Sequence, residues 1–160
     1  MIVPFDDMPD SARVWIYQAS KELDTQDIDL IQQAAEPFLN SWAAHGAALK
    51  SAFKVLHNKF LIITVDESFN QASGCSIDAS VGLVKKLEQT LHTTFFDRTK
   101  VCFMVGDEIF ESPLTELKSL IQQGKITKNT LTFNNLVPNI KEMKEGWMVP
   151  AQDTWINRYF

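Results

Sequence analysis

An α+β domain is what this chain predicts, and three observations predict it. The run Phe60-Leu61-Ile62-Ile63-Thr64-Val65 is short, β-branched and aromatic, and it stops at two acids and a polar loop, as a buried strand does. From Ile77 onward, Val81, Val84, Leu87 and Leu91 recur at three- and four-residue spacing while Lys85, Lys86, Glu88 and Gln89 take the other face, the pattern of an amphipathic helix. The third observation is the order of elements: strand, helix, hairpin, helix, strand.

Pro4, Asp6, Asp7, Pro9 and Asp10 read as an irregular lead-in, followed by a β-branched and aromatic strand over residues 13–19. Asp24 or Thr25 caps the next helix, in which Ile28, Ile31, Ala35, Leu39 and Trp42 keep helical spacing. Pro37 removes a backbone donor there, so a kink or restart is expected near Glu36. Ala43-Ala44-His45-Gly46 closes the helix, with Gly46 suited to its C-terminal cap. Residues 50–56 form a strand that turns through His57-Asn58-Lys59 into the Phe60 strand, making a hairpin.

Ser73-Gly74-Cys75-Ser76 opens the second helix with capping hydroxyls. Residues 93–99 then lead into a strand, Val101-Cys102-Phe103-Met104-Val105, which Gly106-Asp107-Glu108 leaves. Ser112-Pro113 has the cap-then-proline form of a helix start, with Leu114, Leu117, Leu120 and Ile121 apolar and Gly124 past the end. Thr130-Leu131-Thr132-Phe133 adds an edge strand. The tail from Asn134 carries Trp147, Trp155, Tyr159 and Phe160, too aromatic for a solvated segment, and is expected to wrap back onto the domain.

The order is that of the split βαβ arrangement, a ferredoxin-like βαββαβ core with an antiparallel four-stranded sheet and its helices on one face; an open α/β sheet is the alternative. The expected organisation is a single domain over residues 1–160, with a core at about 12–106 and a C-terminal extension at about 107–160.

Apolar residues make up 45% of the chain and charged ones 22%, the balance of a folded domain, and eleven Phe with four Trp predict an aromatic-rich core. A net charge of −5 with no Lys/Arg block argues against a nucleic-acid partner, which needs a concentrated basic face. The start of the chain meets Asp6, Asp7 and Asp10 too soon for a signal peptide, and no stretch approaches the roughly 18 apolar residues of a membrane span, so a cytoplasmic location without membrane attachment is expected. Cys75 and Cys102 are too few and too far apart for a disulfide scaffold or a C-x-x-C pair; Cys102, inside an apolar strand, reads as packing.

Several catalytic signatures are excluded. Gly124-Lys125 is followed by Ile126 and lacks the first glycine of a phosphate loop, so ATPase activity is not expected. H-E-x-x-H and G-x-G-x-x-G are absent, and Gly74-Cys75-Ser76-Ile77-Asp78 misses the nucleophile elbow because Asp78 stands at its closing glycine. Topology is more informative. In a ferredoxin-like sheet one rim gathers Arg13, His45, Asp66, Glu67, Ser73 to Ser76, Asp78, Asp107 and Glu108, while His57 and His92 fall at the other.

Three readings of that rim follow. In the first, the serines and Asp78 cap helices and the acids are loop residues, leaving a non-catalytic binding or interaction module with a protein or small-molecule partner and, by sheet pairing, a homodimer. In the second, Cys75, beside the positive end of a helix dipole, is a nucleophile with His45 as base and Asp78 or Asp66 orienting the imidazole. In the third, the amides around Gly74 and Ser76 bind an anion, or Asp66, Glu67, Asp78 and Asp107 hold Mg²⁺ or Ca²⁺. The sequence names no cofactor.

Trp42-Ala43-Ala44-His45-Gly46, Val65-Asp66-Glu67, the run Ser73-Gly74-Cys75-Ser76-Ile77-Asp78-Ala79-Ser80-Val81, the opening twenty residues and Trp147-Met148-Val149-Pro150-Ala151 through Trp155 are similar to the shared segments of a family of short bacterial proteins. Members of that family often bear the label ABC transporter ATPase. The label implies a phosphate loop, a Mg²⁺-holding acid after a strand and an ATP-sandwich signature, and this chain matches neither the first nor the last.

Overall fold

The computed structural model describes residues 1–160. The chain forms two compact units, one of Met1–Phe96 with Pro138–Lys141 and the other of Asp97–Val137 with Glu142–Phe160. No helix is long and apolar enough to cross a membrane.

The first unit contains β1 (Arg13–Gln18), α1 (Thr25–Ser41), β2 (Ala43–Ala44), β3 (Ala47–Ala48), β4 (Ser51–Leu56), β5 (Phe60–Val65) and α2 (Gly74–Leu91). Its sheet has the order β1-β5-β4, with β5 antiparallel to both neighbours. All six residues of β5 are buried, which is why its sequence, Thr64 apart, is apolar throughout instead of alternating. Leu61, Ile63 and Val65 pack with Ile31, Ala35 and Leu39 of α1 and with Leu83, Val84, Leu87 and Leu91 of α2. The expected hairpin is present, turning through His57 and Asn58, both left-handed at φ 55° and 51°.

The expected fourth strand does not complete this sheet. Residues 101–105 belong to β6 (Lys100–Val105) of the second unit, where a two-residue loop joins them to β7 (Glu108–Pro113). Pairing with so near a neighbour closes a much smaller loop than a return to β1 would. The position beside β1 is held instead by a single antiparallel bridge, Arg13↔Asn139, flanked by Val14 N–H donating to Pro138 O (3.1 Å) and Ile140 N–H donating to Ala12 O (3.0 Å). The boundary between the units accordingly falls ahead of β6, not behind it at about residue 106.

Local chemistry sets the helix ends. Asp24 caps α1 in a reciprocal box: its carboxylate accepts from Asp27 N–H (2.8 Å) and Asp27 accepts from Asp24 N–H (3.0 Å). Pro37 neither breaks nor restarts α1, because it and Gln33, whose carbonyl loses its helical donor, lie on the exposed face where water serves instead. The helix stops at Ser41, before the expected glycine cap. His45 and Gly46, at φ 51° and 78°, are the central pair of a tight two-residue turn between β2 and β3. In α2 the buried stripe is Ser76, Ser80, Leu83, Val84, Leu87 and Leu91, with Ile77 and Val81 flanking it.

The second unit is an antiparallel sheet of order β7-β6-β8-β9, with β8 at Leu131–Phe133 and β9 at Met148–Pro150, plus α3 (Leu117–Gln122). The chain also forms a short helix, α4 (Ile140–Gly146). Val101 and Phe103 pack with Leu117, Leu120, Ile126, Ala151 and Ile156. Ser112 and Pro113 end β7, which β6 pairs with as far as Lys100↔Pro113, and the expected helical stretch begins directly after them as a 3₁₀ turn, Leu114–Glu116, that runs into α3. β8 is an inner strand, not an edge, because β9 adds beyond it. The aromatic tail is docked: Trp147 is buried against Phe133, ring centroids 5.0 Å apart, and Ile156 is buried, whereas Trp155 is 50% exposed.

One side-chain bond ties α1 to α2. Trp42, buried just past the end of α1, donates from Nε1 to the Ser76 carbonyl in the first turn of α2 (2.8 Å). Trp42→Phe keeps a ring in place and removes this bond while the carbonyl keeps its helical donor, so urea unfolding is expected to show a loss of about 0.5–1.5 kcal/mol. A loss no larger than that of Trp15→Phe would show that the indole hydrogen bond is not the tie.

Candidate functional site

β5 ends where β1 and β4 begin, since Val65 pairs with Arg13 on one side and Ser51 on the other. The loop leaving β5 and the start of α2 therefore meet the entries of both neighbours at one rim.

Asp66 is the buried acid of this rim. Its carboxylate accepts from Ser68 N–H (3.0 Å) and the Ser68 hydroxyl, and Lys50 Nζ lies 3.4 Å from its other oxygen. Burial alone would raise the Asp66 carboxyl; the Ser68 and Lys50 bonds together outweigh burial and hold it below its ordinary value. Glu67 Oε2 accepts from Ala72 N–H (3.2 Å), and Glu67 Oε1 is 3.7 Å from the half-exposed guanidinium of Arg13. That guanidinium lies 4.8 Å from the ring centre of Trp15, whose ring meets Trp42 edge-on at 6.4 Å.

Ser73 and Ser76 form the capping box of α2. Ser73 Oγ accepts from Ser76 N–H (3.1 Å), while Ser76 Oγ accepts from Ser73 N–H and donates to Ser73 O, both at 2.8 Å. Asn70 spans to the β2–β3 hairpin, donating from Nδ2 to Ala47 O (3.1 Å) and Ala48 O (3.4 Å). The loop from Asp66 to Ser73 is thus pinned at both ends and in the middle, and it carries Phe69 with 57% of its surface exposed.

The predicted rim residues divide accordingly. Arg13, Asp66, Glu67, Ser73 and Ser76 do gather, and each is engaged in folding the rim. Cys75 and Asp78 are exposed on α2, and His45 is exposed at the tip of the β2–β3 turn. No hydrogen bond or ion pair joins Cys75 to His45 or His45 to Asp78, so the nucleophile, base and orienting acid are not assembled. Asp107 is at the tip of the β6–β7 hairpin in the second unit, because β6 pairs with β7 and not with β1. Nowhere do three or more His, Cys, Asp or Glu side chains group so as to hold a metal ion. Gly74 shows no need for its missing side chain: its φ is not positive and an added Cβ would meet nothing within 4 Å.

Lys50, Trp42, Asn70 and Phe69 are rim residues that sequence reasoning passed over. Lys50 was within reach, because the register that pairs Ser51 with Val65 sets Lys50 opposite Asp66. No protein-family model, curated protein or solved structure matches the chain.

Two outcomes follow. Asp66→Asn keeps the shape but removes the charge, and is expected to cost about 1–3 kcal/mol at neutral pH. A carboxyl lowered on folding contributes stability that is present above the unfolded value, 3.8, and lost as pH falls toward the folded value. The gap between wild type and variant in urea titrations should therefore close below about pH 3.8. Gly74→Ala is expected to stabilise by about 0.4–1 kcal/mol, whereas an anion cradle that needed the glycine would make it neutral or worse.

Proposed function

We propose that the chain is a non-catalytic protein-interaction module that presents Phe69 as an apolar anchor. The observation that carries this reading is Phe69 itself: a phenylalanine 57% exposed on a loop whose backbone and flanking side chains are held by Asp66, Glu67 and Asn70. Water gives no reason to fix such a ring outward, whereas a partner gains from an aromatic anchor whose backbone is ordered beforehand. Cys75, His45 and Asp78 are exposed and not bonded to one another, which disfavours the cysteine enzyme, and Asp66, Glu67, Ser73 and Ser76 are engaged in folding the rim, which disfavours the anion or metal site. The similarity to short bacterial proteins bearing an ATPase label does not alter the proposal, because the chain carries no phosphate loop.

The reading is tested by placing a photo-crosslinking phenylalanine analogue at position 69, with exposed Lys86 as control position. A discrete crosslinked partner at 69 and none at 86 is expected, together with an unchanged unfolding midpoint for Phe69→Ala. No product above the control removes the proposal. The rival enzyme is tested separately by iodoacetamide: Cys75 in a Cys102→Ala background is expected to alkylate no faster than free cysteine at neutral pH, and an acceleration of about tenfold or more would favour the nucleophile.

A further inference from the structure

Arg13, Lys21, Lys50, Lys54 and Lys100 each lie within 4.0 Å of a carboxylate. Lys118, Lys125, Lys128 and Arg158 meet none, and all four are exposed on the second unit. Leu117 and Leu120 of α3, Ile126 of the turn after it, and Ala151 and Ile156 of the tail pack together against Val101 and Phe103, so the exposed residues of these three segments form one outer layer. The tail is bonded to the turn: Ala151 N–H donates to Thr130 O (2.8 Å), Gln152 N–H to Lys128 O (3.0 Å) and Gln152 Nε2 to Asn129 Oδ1 (3.2 Å). No Asp or Glu occurs from Leu117 to Val137, and Asp153 is the one acid between Trp147 and Phe160, in a chain whose net charge is −5.

Trp155 and Arg158 stand out within this layer. Ile156 is buried and Thr154 caps the 3₁₀ turn Trp155–Tyr159, its Oγ1 accepting from Ile156 N–H (3.2 Å), so the backbone that carries them is fixed. Side chains three apart on a 3₁₀ helix eclipse, which sets the Arg158 guanidinium over Trp155, 5.4 Å from its ring centre; it also lies 5.2 Å from the ring centre of Tyr159. Arg158 Nη2 donates to Tyr159 Oη (3.4 Å). Two rings thus hold a guanidinium that has no carboxylate beside it, next to an indole half exposed to water.

We propose that this layer docks an acidic segment of a partner protein, with one carboxylate paired to Arg158 and a neighbouring apolar side chain laid on the exposed part of Trp155. Charge complementarity argues for this occupant: the cations of the layer have no partner within the chain and outnumber its one acid, and a guanidinium already stacked on rings loses little freedom when a carboxylate takes its fork. Lys125 and Lys128, on the turn bonded to the tail, add attraction for further acids of the segment. The indole calls for an apolar side chain beside the carboxylate, which an inorganic anion lacks. A polynucleotide fits worse, because Arg158 lies over both rings on which bases would stack, and cations scattered over three segments make no continuous track for phosphates. The surface shares no residue with the Phe69 loop and adds a second binding site to it.

The test is selection on the full chain from a displayed library of short peptides in which acidic and apolar residues are mixed with neutral polar ones. Selected peptides are expected to place Asp or Glu next to, or one removed from, a large apolar residue. A synthetic version titrated against the chain should shift the indole N–H resonance of Trp155, identified by its loss in Trp155→Phe, and leave that of buried Trp147 in place. Arg158→Gln should weaken binding about tenfold with an unchanged unfolding midpoint, Arg158→Lys should recover part of that loss, and Asp153→Asn should tighten binding about twofold. Phe69→Ala should leave it unchanged. An empty selection, affinity indifferent to Arg158→Gln, or an indole shift elsewhere than at Trp155 overturns the proposal. An oligothymidine bound as tightly as the peptide would show a polynucleotide surface, and self-association abolished by Arg158→Gln would show a second copy in the site; either overturns it. Binding that Phe69→Ala removes and Arg158→Gln does not would refute this site while leaving the Phe69 reading intact.

Discussion

A strand buried on both faces along its whole length constrains everything around it. None of the six residues of β5 has more than a trace of exposed surface, so none of its backbone groups can turn to water, and both of its edges must be paired. β1 and β4 meet that demand, and because each runs antiparallel to β5 they run parallel to one another. Two parallel strands separated by a third need a crossover connection, which α1 supplies, and α2 then follows β5 back across the same face. The three-strand, two-helix arrangement of the first unit follows from one apolar hexapeptide.

The rim exists for the same reason. β5 has to leave the core somewhere, and it does so at Asp66, where the chain passes from full burial to solvent within two residues. A buried carboxylate there is tolerable only with donors to satisfy it, and Ser68 and Lys50 are those donors. Glu67, Asn70, Ser73 and Ser76 complete a loop whose polar groups are directed at its own backbone. Such a loop is a rigid platform with little left for chemistry. What it offers outward is the ring of Phe69 and the unengaged Cys75, His45 and Asp78.

The parts of the fold that sequence displayed were those fixed by local chemistry. The hairpin through His57 and Asn58, the Asp24 cap and the Ser73 cap depend on residues a few positions apart, and periodicity found the helices they bound. The sheet that β6 would join depends on a competition no local pattern encodes. Val101 to Val105 reads identically whether it pairs with β1 or with β7, and Glu108 to Pro113, which decides the matter, looks like a loop running into a proline-started helix. At the rim, the hairpin register and the split βαβ order were enough to gather Arg13, Asp66, Glu67, Ser73 and Ser76. They misplaced Asp107, which travelled with β6. His45 was read as a helix end because Gly46 resembles a C-cap; both residues are in a left-handed turn, and either use asks the same of the glycine.

The two edges of the first sheet are treated unequally. Along β1, Ala12 and Val14 hand their outward groups to Ile140 and Pro138, and Asp10 accepts from Lys141 N–H (2.9 Å), so a segment far along the chain is brought back to close that edge. Along β4 the strand pairing ends at Ser51, and the segment then packs against the strand as the 3₁₀ turn Phe5–Asp7. Open edges invite indiscriminate pairing, and folded proteins blunt them with charge, proline or a bulge. Here Lys54, the one cation of the strand, is held by Asp6 and the Phe5 ring, both in that turn. Pro4 and the 3₁₀ turn after it end the ladder while keeping the segment packed against β4. One edge is thus closed by strand pairing from a distance and the other by a local turn that begins with a proline and continues no ladder, two of the ways a short sheet avoids pairing with other chains.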